Sequence, residues 1–177
     1  MRAGINQVGP LIPILKNYFH VSNFSMSLLA GIPLLCFSAT SLFMWLIIRL
    51  GSSNRIIQWA LFSLFLGLLL RATTGLIGLY LFTFLIGISI AVMNYEIPAW
   101  IKSNAAEDTG FMTGIYSTTM GLIGGLAIAI SVPLANLNSW SWRMAMVPWI
   151  VIAGLTAIYW KSKKDKKPQK EISTPQP

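Results

Sequence analysis

Negative charge is scarce in this sequence: 5 Asp plus Glu in 177 residues, against 13 Lys plus Arg. Only 10% of the chain is charged, whereas a water-soluble domain carries roughly 25% to coat its surface. Thiols and imidazoles are scarcer still. The one cysteine, Cys36, lies in the apolar run 34–37, and with one histidine, His20, it provides neither an internal disulfide nor a cluster of soft metal ligands. No Gly-Lys-Ser/Thr phosphate loop, His-Glu-x-x-His or Gly-x-Ser-x-Gly occurs. Hydrolase and nucleotide-motor chemistry therefore have no residues to rest on, no nucleophile and base pair stands out, and no enzyme, cofactor or metal is expected.

What the chain does contain is long apolar runs, which make up most of its 55% hydrophobic residues. The reading is an all-α membrane protein whose first partner is the lipid bilayer. Since a spanning helix takes about 20 apolar residues, the chain holds at most about seven spans, too few for a complete carrier of roughly ten or twelve. Polar or charged breaks at 49–55, 71–75, 102–110 and 136–143 separate spans at about 26–48, 56–70, 76–97, 111–137 and 144–160. A sixth, partial span covers about 1–19. Its apolar part, 3–15, is too short to cross roughly 30 Å of hydrocarbon and lacks the pattern of a secretory signal. It reads as the second half of a truncated helix or, alternatively, as a re-entrant segment kinked by Pro10 and Pro13. The bundle is expected over 1–160.

The net charge of +8 is a matter of topology, with no nucleic-acid partner expected, because six of the basic residues fall in the last 17 positions. With the tail inside, Arg49, Arg55, Lys102 and six tail lysines share one side, and Lys16, Arg71 and Arg143 the other. That bias assigns the C-terminal tail to the cytoplasm. Residues 161–177 are polar and without apolar periodicity, as in a disordered linker or tail; they either stay solvated as a topology anchor or touch anionic headgroups.

Polar and small residues mark the faces that look inward. In the fifth span Ser117, Gly121, Gly125 and Ala129 recur every fourth residue, a stripe that should lie against another helix. Tyr116 beside it either anchors at the interface or faces a cavity. In the fourth span Thr83, Gly87, Ala91 and Asn94 share a stripe, with Asn94 poised for a ligand or for an interhelical hydrogen bond. Glu96 either pairs with Lys102 and the interface or serves a proton relay. In the first segment Arg2 and Asn6 are four apart, followed by Gln7. An arginine there suits a wet cavity or an anion, or is simply hydrated at a frayed terminus.

At these residues the sequence resembles the cyanate permease and 2-nitroimidazole transporter branch of the major facilitator superfamily. The likeness runs in order through Arg2 and Val-Gly-Pro-Leu at 8–11, Arg49-Leu-Gly, Gly67 with Arg71, then Gly87, Asn94, Pro98 and Lys102, Met-Thr-Gly-Ile-Tyr-Ser at 112–117, and Trp142-Arg143. The resemblance implies the N-terminal six-helix half of that fold, with its first helix truncated and a second half missing or separately encoded. It also implies secondary transport of a small anion or small polar organic solute across a bacterial plasma membrane, by rocking of the two halves around a midplane site. Arg2, Asn6, Gln7, Asn94 and Tyr116 would line the cavity. Arg49, Arg55, Arg71, Lys102 and Arg143 would serve gating or topology, although the 49–55 loop lacks the family's aspartate. The competing expectations are a small homo-oligomeric channel, for which no filter motif is visible, and a nonfunctional fragment.

Overall fold

The computed structural model describes residues 3–49, 51–105, 107–136 and 141–162. Arg2 and positions 163–177 of the expected tail lie outside the described residues. All regular structure within them is helical: α1 (Ala3–Asn6), α2 (Val8–Phe19), α3 (Asn23–Ile48), α4 (Ser53–Thr73), α5 (Leu76–Asn104), α6 (Thr109–Asn136) and, after a 3-10 turn at Ser141–Met146, α7 (Val147–Ser162). Five helical stretches are long and apolar enough to cross a membrane.

The helices outrun the apolar blocks that announce them, because an Arg or Lys near a helix end extends its stem along apolar surface and keeps its head in water. Arg55 therefore sits inside α4 and Lys102 inside α5, although both were expected in loops. Arg71 is a larger correction. It was assigned to a break and to topology, yet it lies within α4 with none of its surface exposed.

The first segment divides at Gln7, where a single turn separates α1 from α2. Pro10 explains the position. Its ring has no N–H for the carbonyl four residues back and crowds it, which weakens the helix between Asn6 and Pro10, although α5 keeps its helix through the same spacing at Asn94 and Pro98. In α2 itself Pro10 stands in the first turn, where a missing donor costs little. At its other end α2 closes on His20, which takes a left-handed conformation (φ 51°) and donates its N–H to the Lys16 carbonyl. Ser22 then caps α3, its hydroxyl accepting from the Ser25 N–H at 3.3 Å.

The centre of the bundle is the α4–α5 pair. Half of the most apolar window of α5 is buried (50%), against 17% for α3. Glycines set the close approaches. A Cβ on Gly67 would stand 2.9 Å from Ile86 Cγ1, and one on Gly87 would stand 2.8 Å from Cys36 Sγ, so α5 presses on α4 along one side and on α3 along the other. Gly154 receives the Phe65 ring, bringing α7 onto α4. One apolar cluster joins Ile57, Leu61, Leu64, Ile86, Ile90 and Trp149. A second, at the end of the bundle remote from Ser162, joins Leu11, Leu15, Met26, Leu29, Leu79 and Trp142. Leu34, Phe43, Phe84, Leu122, Leu155 and Ile158 point outward and exposed, an apolar exterior suited to lipid.

The remote end is held by Arg143. Its Nε donates to the Ala72 carbonyl at 2.9 Å, its Nη1 reaches the Tyr18 hydroxyl at 3.3 Å, and its guanidinium lies 4.9 Å from the Trp142 ring centroid. One side chain thereby ties α2, α4 and the 3-10 turn. Replacing it, Arg143→Ala, is expected to lower stability by about 1–3 kcal/mol, the range for charge-assisted hydrogen bonds. Denaturant titration in detergent micelles is the measurement. At the tail end, Trp160 Nε1 donates to the Asn54 carbonyl at 3.3 Å and its ring meets Trp100 edge-on at 5.4 Å. Aromatic residues gather at both ends, as they do at membrane interfaces.

Candidate functional site

Two asparagines from the expected cavity stand four residues before a proline, Asn6 before Pro10 and Asn94 before Pro98. Each proline withholds the N–H that its asparagine's carbonyl would take in a regular helix. Backbone so relieved is tolerated at membrane depth where it is enclosed by protein or lines a wet cavity. At these positions an amide side chain therefore accompanies a carbonyl that has lost its helical donor.

Asn94 meets Tyr116. The phenol of Tyr116 on α6 donates to Asn94 Oδ1 on α5 at 3.2 Å, and both residues are half-buried. Asn6 faces α6 at Gly124, where an added Cβ would lie 2.6 Å from its Nδ2. Gln7 is fully buried, and neither of its amide atoms has a hydrogen-bond partner among the described residues. Gly124 and Tyr116 are eight residues apart on α6, about 12 Å along the axis at 1.5 Å per residue. The candidate residues thus occupy two levels of the bundle, Asn94 and Tyr116 nearer the tail end, Asn6 and Gln7 nearer the middle. The fifth candidate, Arg2, lies outside the described residues.

Three other buried hydroxyls are spoken for by their own helices. Thr83 donates to the Leu79 carbonyl at 2.6 Å, Ser89 to Leu85 at 2.8 Å, and Ser131 to Ala127, the back-bonding usual for hydroxyls inside helices. Glu96 is buried on α5 with Oε2 lacking a hydrogen-bond partner, while Lys102 is exposed. No ion pair joins them among the described residues, so the alternative that paired Glu96 with Lys102 is not realised. Arg49 rests on the Trp45 ring, 4.8 Å from its centroid, and Arg55 is exposed.

Arg71 was missed as a buried group. Its Nη1 donates to the Gly4 carbonyl at 3.1 Å, whereas Nε and Nη2 are buried without partners among the described residues. The sequence holds a faint signal for this: Arg71 follows Gly67, Leu68 and Leu64 at helical spacings, on the face of α4 that carries the core.

The small-residue stripe, expected to lie against another helix, is open among the described residues. Ser117, Gly121, Gly125 and Ala129 are all exposed, and a Cβ on Gly121 or Gly125 would meet nothing within 4 Å. No helix among the described residues covers that face of α6.

The family model described as Major Facilitator Superfamily matches residues 1–177. The chain belongs to the major facilitator superfamily. It is 35% identical over 161 residues to the uncharacterized transporter YycB of Bacillus subtilis (strain 168), a match covering 90% of this chain and 40% of the relative. It is 28% identical to the 2-nitroimidazole transporter of Escherichia coli (strain K12), with the same two shares. The cyanate transport protein CynX of the same organism is 26% identical over 90% of this chain and 42% of its own. The chain therefore spans about two fifths of the length of the curated relatives it matches. No solved structure matches it. With five spanning-length helices it is a multi-pass membrane protein of this superfamily, in the arrangement of an N-terminal half.

Proposed function

We propose that this chain forms the N-terminal half of a secondary carrier for a small anion or small polar organic solute. In this reading the cavity is completed by a second helical half, in a bacterial plasma membrane with the C-terminal tail in the cytoplasm. The observation that carries it is that Asn6 and Asn94 both meet α6, the helix whose small-residue face is uncovered among the described residues. Small residues allow close helix approach, which suits Ser117, Gly121, Gly125 and Ala129 to a second half. The share of the relatives left unmatched by this chain is long enough to supply one. The relatives' names, 2-nitroimidazole transporter and cyanate transport protein, support small planar or linear solutes as cargo. Alternating access would rock the two halves about the level of these side chains.

Uptake of radiolabelled cyanate and 2-nitroimidazole tests this. Cells expressing the chain alone are expected to take up neither solute above background. Cells that also express the part of the Bacillus subtilis relative outside the match are expected to take up at least one. Robust uptake by the chain alone would overturn the half-carrier reading. A homo-oligomer seated on the same α6 face is the competing occupant, and a stable symmetric oligomer in native lipid would favour it.

A further inference from the structure

The side chain of Arg71 is the most heavily buried charge among the described residues, and only part of it is used. The Gly4 carbonyl takes Nη1. The two remaining nitrogens, Nε and Nη2, form one edge of the guanidinium, with their N–H bonds pointing the same way. Both are buried and unpartnered among the described residues. That edge is the fork that binds a planar group through two oxygens at once. Gln7, three residues beyond Gly4 and helical in its own backbone angles (φ −66°, ψ −19°), stands on the same side of the segment. Its amide offers a donor and an acceptor, both likewise unpartnered.

Among the described residues no carboxylate compensates the charge. Glu96 lies ten residues along α5 from Ile86, which shares the level of Gly4, and so is about 15 Å away along the axis. An unpaired cation in a membrane interior is costly, and such residues characteristically face a partner or a solute path. A cleft of about 240 Å³ lies near by, with neither Arg71 nor Gln7 among its walls. Its walls include Leu61, Leu64, Ile123 and Trp149, together with Gly4, whose carbonyl Arg71 holds, and Leu68, just short of Arg71 on α4.

We propose that the free edge of Arg71, with the Gln7 amide, is a binding site for a solute carrying a planar two-oxygen group: a nitrate, a carboxylate or a nitro substituent. The site is built from α1, α4 and the turn at Gln7, so it belongs wholly to this chain. It rests on the carrier reading for its purpose and not for its existence. The charge attracts the anionic members, and the paired donors select the planar geometry.

Calorimetric titration of the purified chain in detergent, with sodium nitrate, 2-nitroimidazole and imidazole as probes, tests the site directly. Saturable binding is expected for nitrate and 2-nitroimidazole and not for imidazole, which has the ring without the two oxygens. Arg71→Met should weaken binding at least tenfold. Arg71→Lys keeps the charge but loses the fork, and should remain severalfold weaker for 2-nitroimidazole. Gln7→Leu, which leaves the bond from Arg71 to Gly4 in place, should also lose severalfold and carries the test if Arg71→Met fails to fold. Equal binding of imidazole, wild-type binding by the folded variants, or no saturable binding by the wild-type chain overturns the proposal. Binding that depends on Arg71 without uptake in the two-part cells would leave the site standing and the carrier reading fallen. Uptake by those cells that is indifferent to Arg71→Met would do the reverse.

Discussion

Trp142→Ala should cost about 3–5 kcal/mol of stability, the range for emptying a buried tryptophan site. Trp142 has no exposed surface, is among the largest fully buried side chains, and packs its ring 6.2 Å from Tyr18 and 5.9 Å from Phe19. Its loss removes the common wall between α2 and the 3-10 turn and withdraws the surface on which the Arg143 guanidinium lies. The neighbours cannot close the gap. Leu11, Leu15 and Met146 are themselves almost fully buried and in contact on other sides. Trp142→Phe should recover a large part of the loss, since it restores ring packing, and the Trp142 Nε1 forms no hydrogen bond among the described residues that would be forfeited. Unfolding of detergent-solubilised protein by a graded denaturant gives the comparison. A loss below about 1 kcal/mol for Trp142→Ala would mean that the remote end is not held by this ring.

The second large effect is expected at Gly87. Its substitution by Ala should destabilise the bundle by about 1–3 kcal/mol, the usual cost of forcing an extra group into a filled interior. The new Cβ would stand 2.8 Å from Cys36 Sγ, 3.0 Å from Cys36 Cβ and 3.5 Å from Pro33 Cα. None of these is the far end of a flexible chain. Cys36 is short and buried, its thiol donating to the Phe84 carbonyl at 3.5 Å, and Pro33 is backbone. Relief therefore has to come from parting α3 and α5. Combining Gly87→Ala with Cys36→Ala removes the sulfur and should restore part of the loss, so the two changes will be non-additive in a double-mutant cycle. Additive costs would show that the two helices do not meet at this point. Gly121→Ala provides the contrast, with no steric loss in the isolated chain because nothing lies within 4 Å of the added carbon, and a small gain from helix propensity.

The architecture was legible because it rests on the plainest signal a sequence carries. An apolar run of some 20 residues has few options other than to span, and the five long helices fall where those runs do. Their ends were drawn too short for a physical reason. Arg55 and Lys102 are charged, and charge reads as loop, yet a long basic side chain can remain in a helix and still reach water. Arg71 was misread for the same reason and with greater effect, since it stands just before Thr73, Thr74 and Gly75. Its burial depends on a carbonyl 67 residues away in the chain, which no local pattern reports.

The candidate site divided along similar lines. The Asn94 and Tyr116 stripes were visible as helical spacing, and the structure brings those two side chains together. Periodicity shows that small residues share a face but says nothing of what stands opposite it. The stripe from Ser117 to Ala129 is consequently bare among the described residues. Gln7 lay in view as a polar residue in an apolar segment, whereas the turn at that position required weighing Pro10 against the carbonyl of Asn6.

The ties made by Trp142, Arg143, Gly154 and Trp160 also bear on how such a bundle is made. Their partners, among them Tyr18, Asn54, Phe65, Ala72 and Trp100, all belong to segments synthesised earlier. Both ends of the bundle therefore wait for the last helix. Until it enters the bilayer, α3, α4 and α5 can associate through their glycine contacts, but the first segment has lost its clasp and α4 a flank. A ribosome stalled before residue 142 would leave an assembly open at both faces of the membrane, and membrane proteolysis of such a nascent chain should fall sharply once α7 is in place.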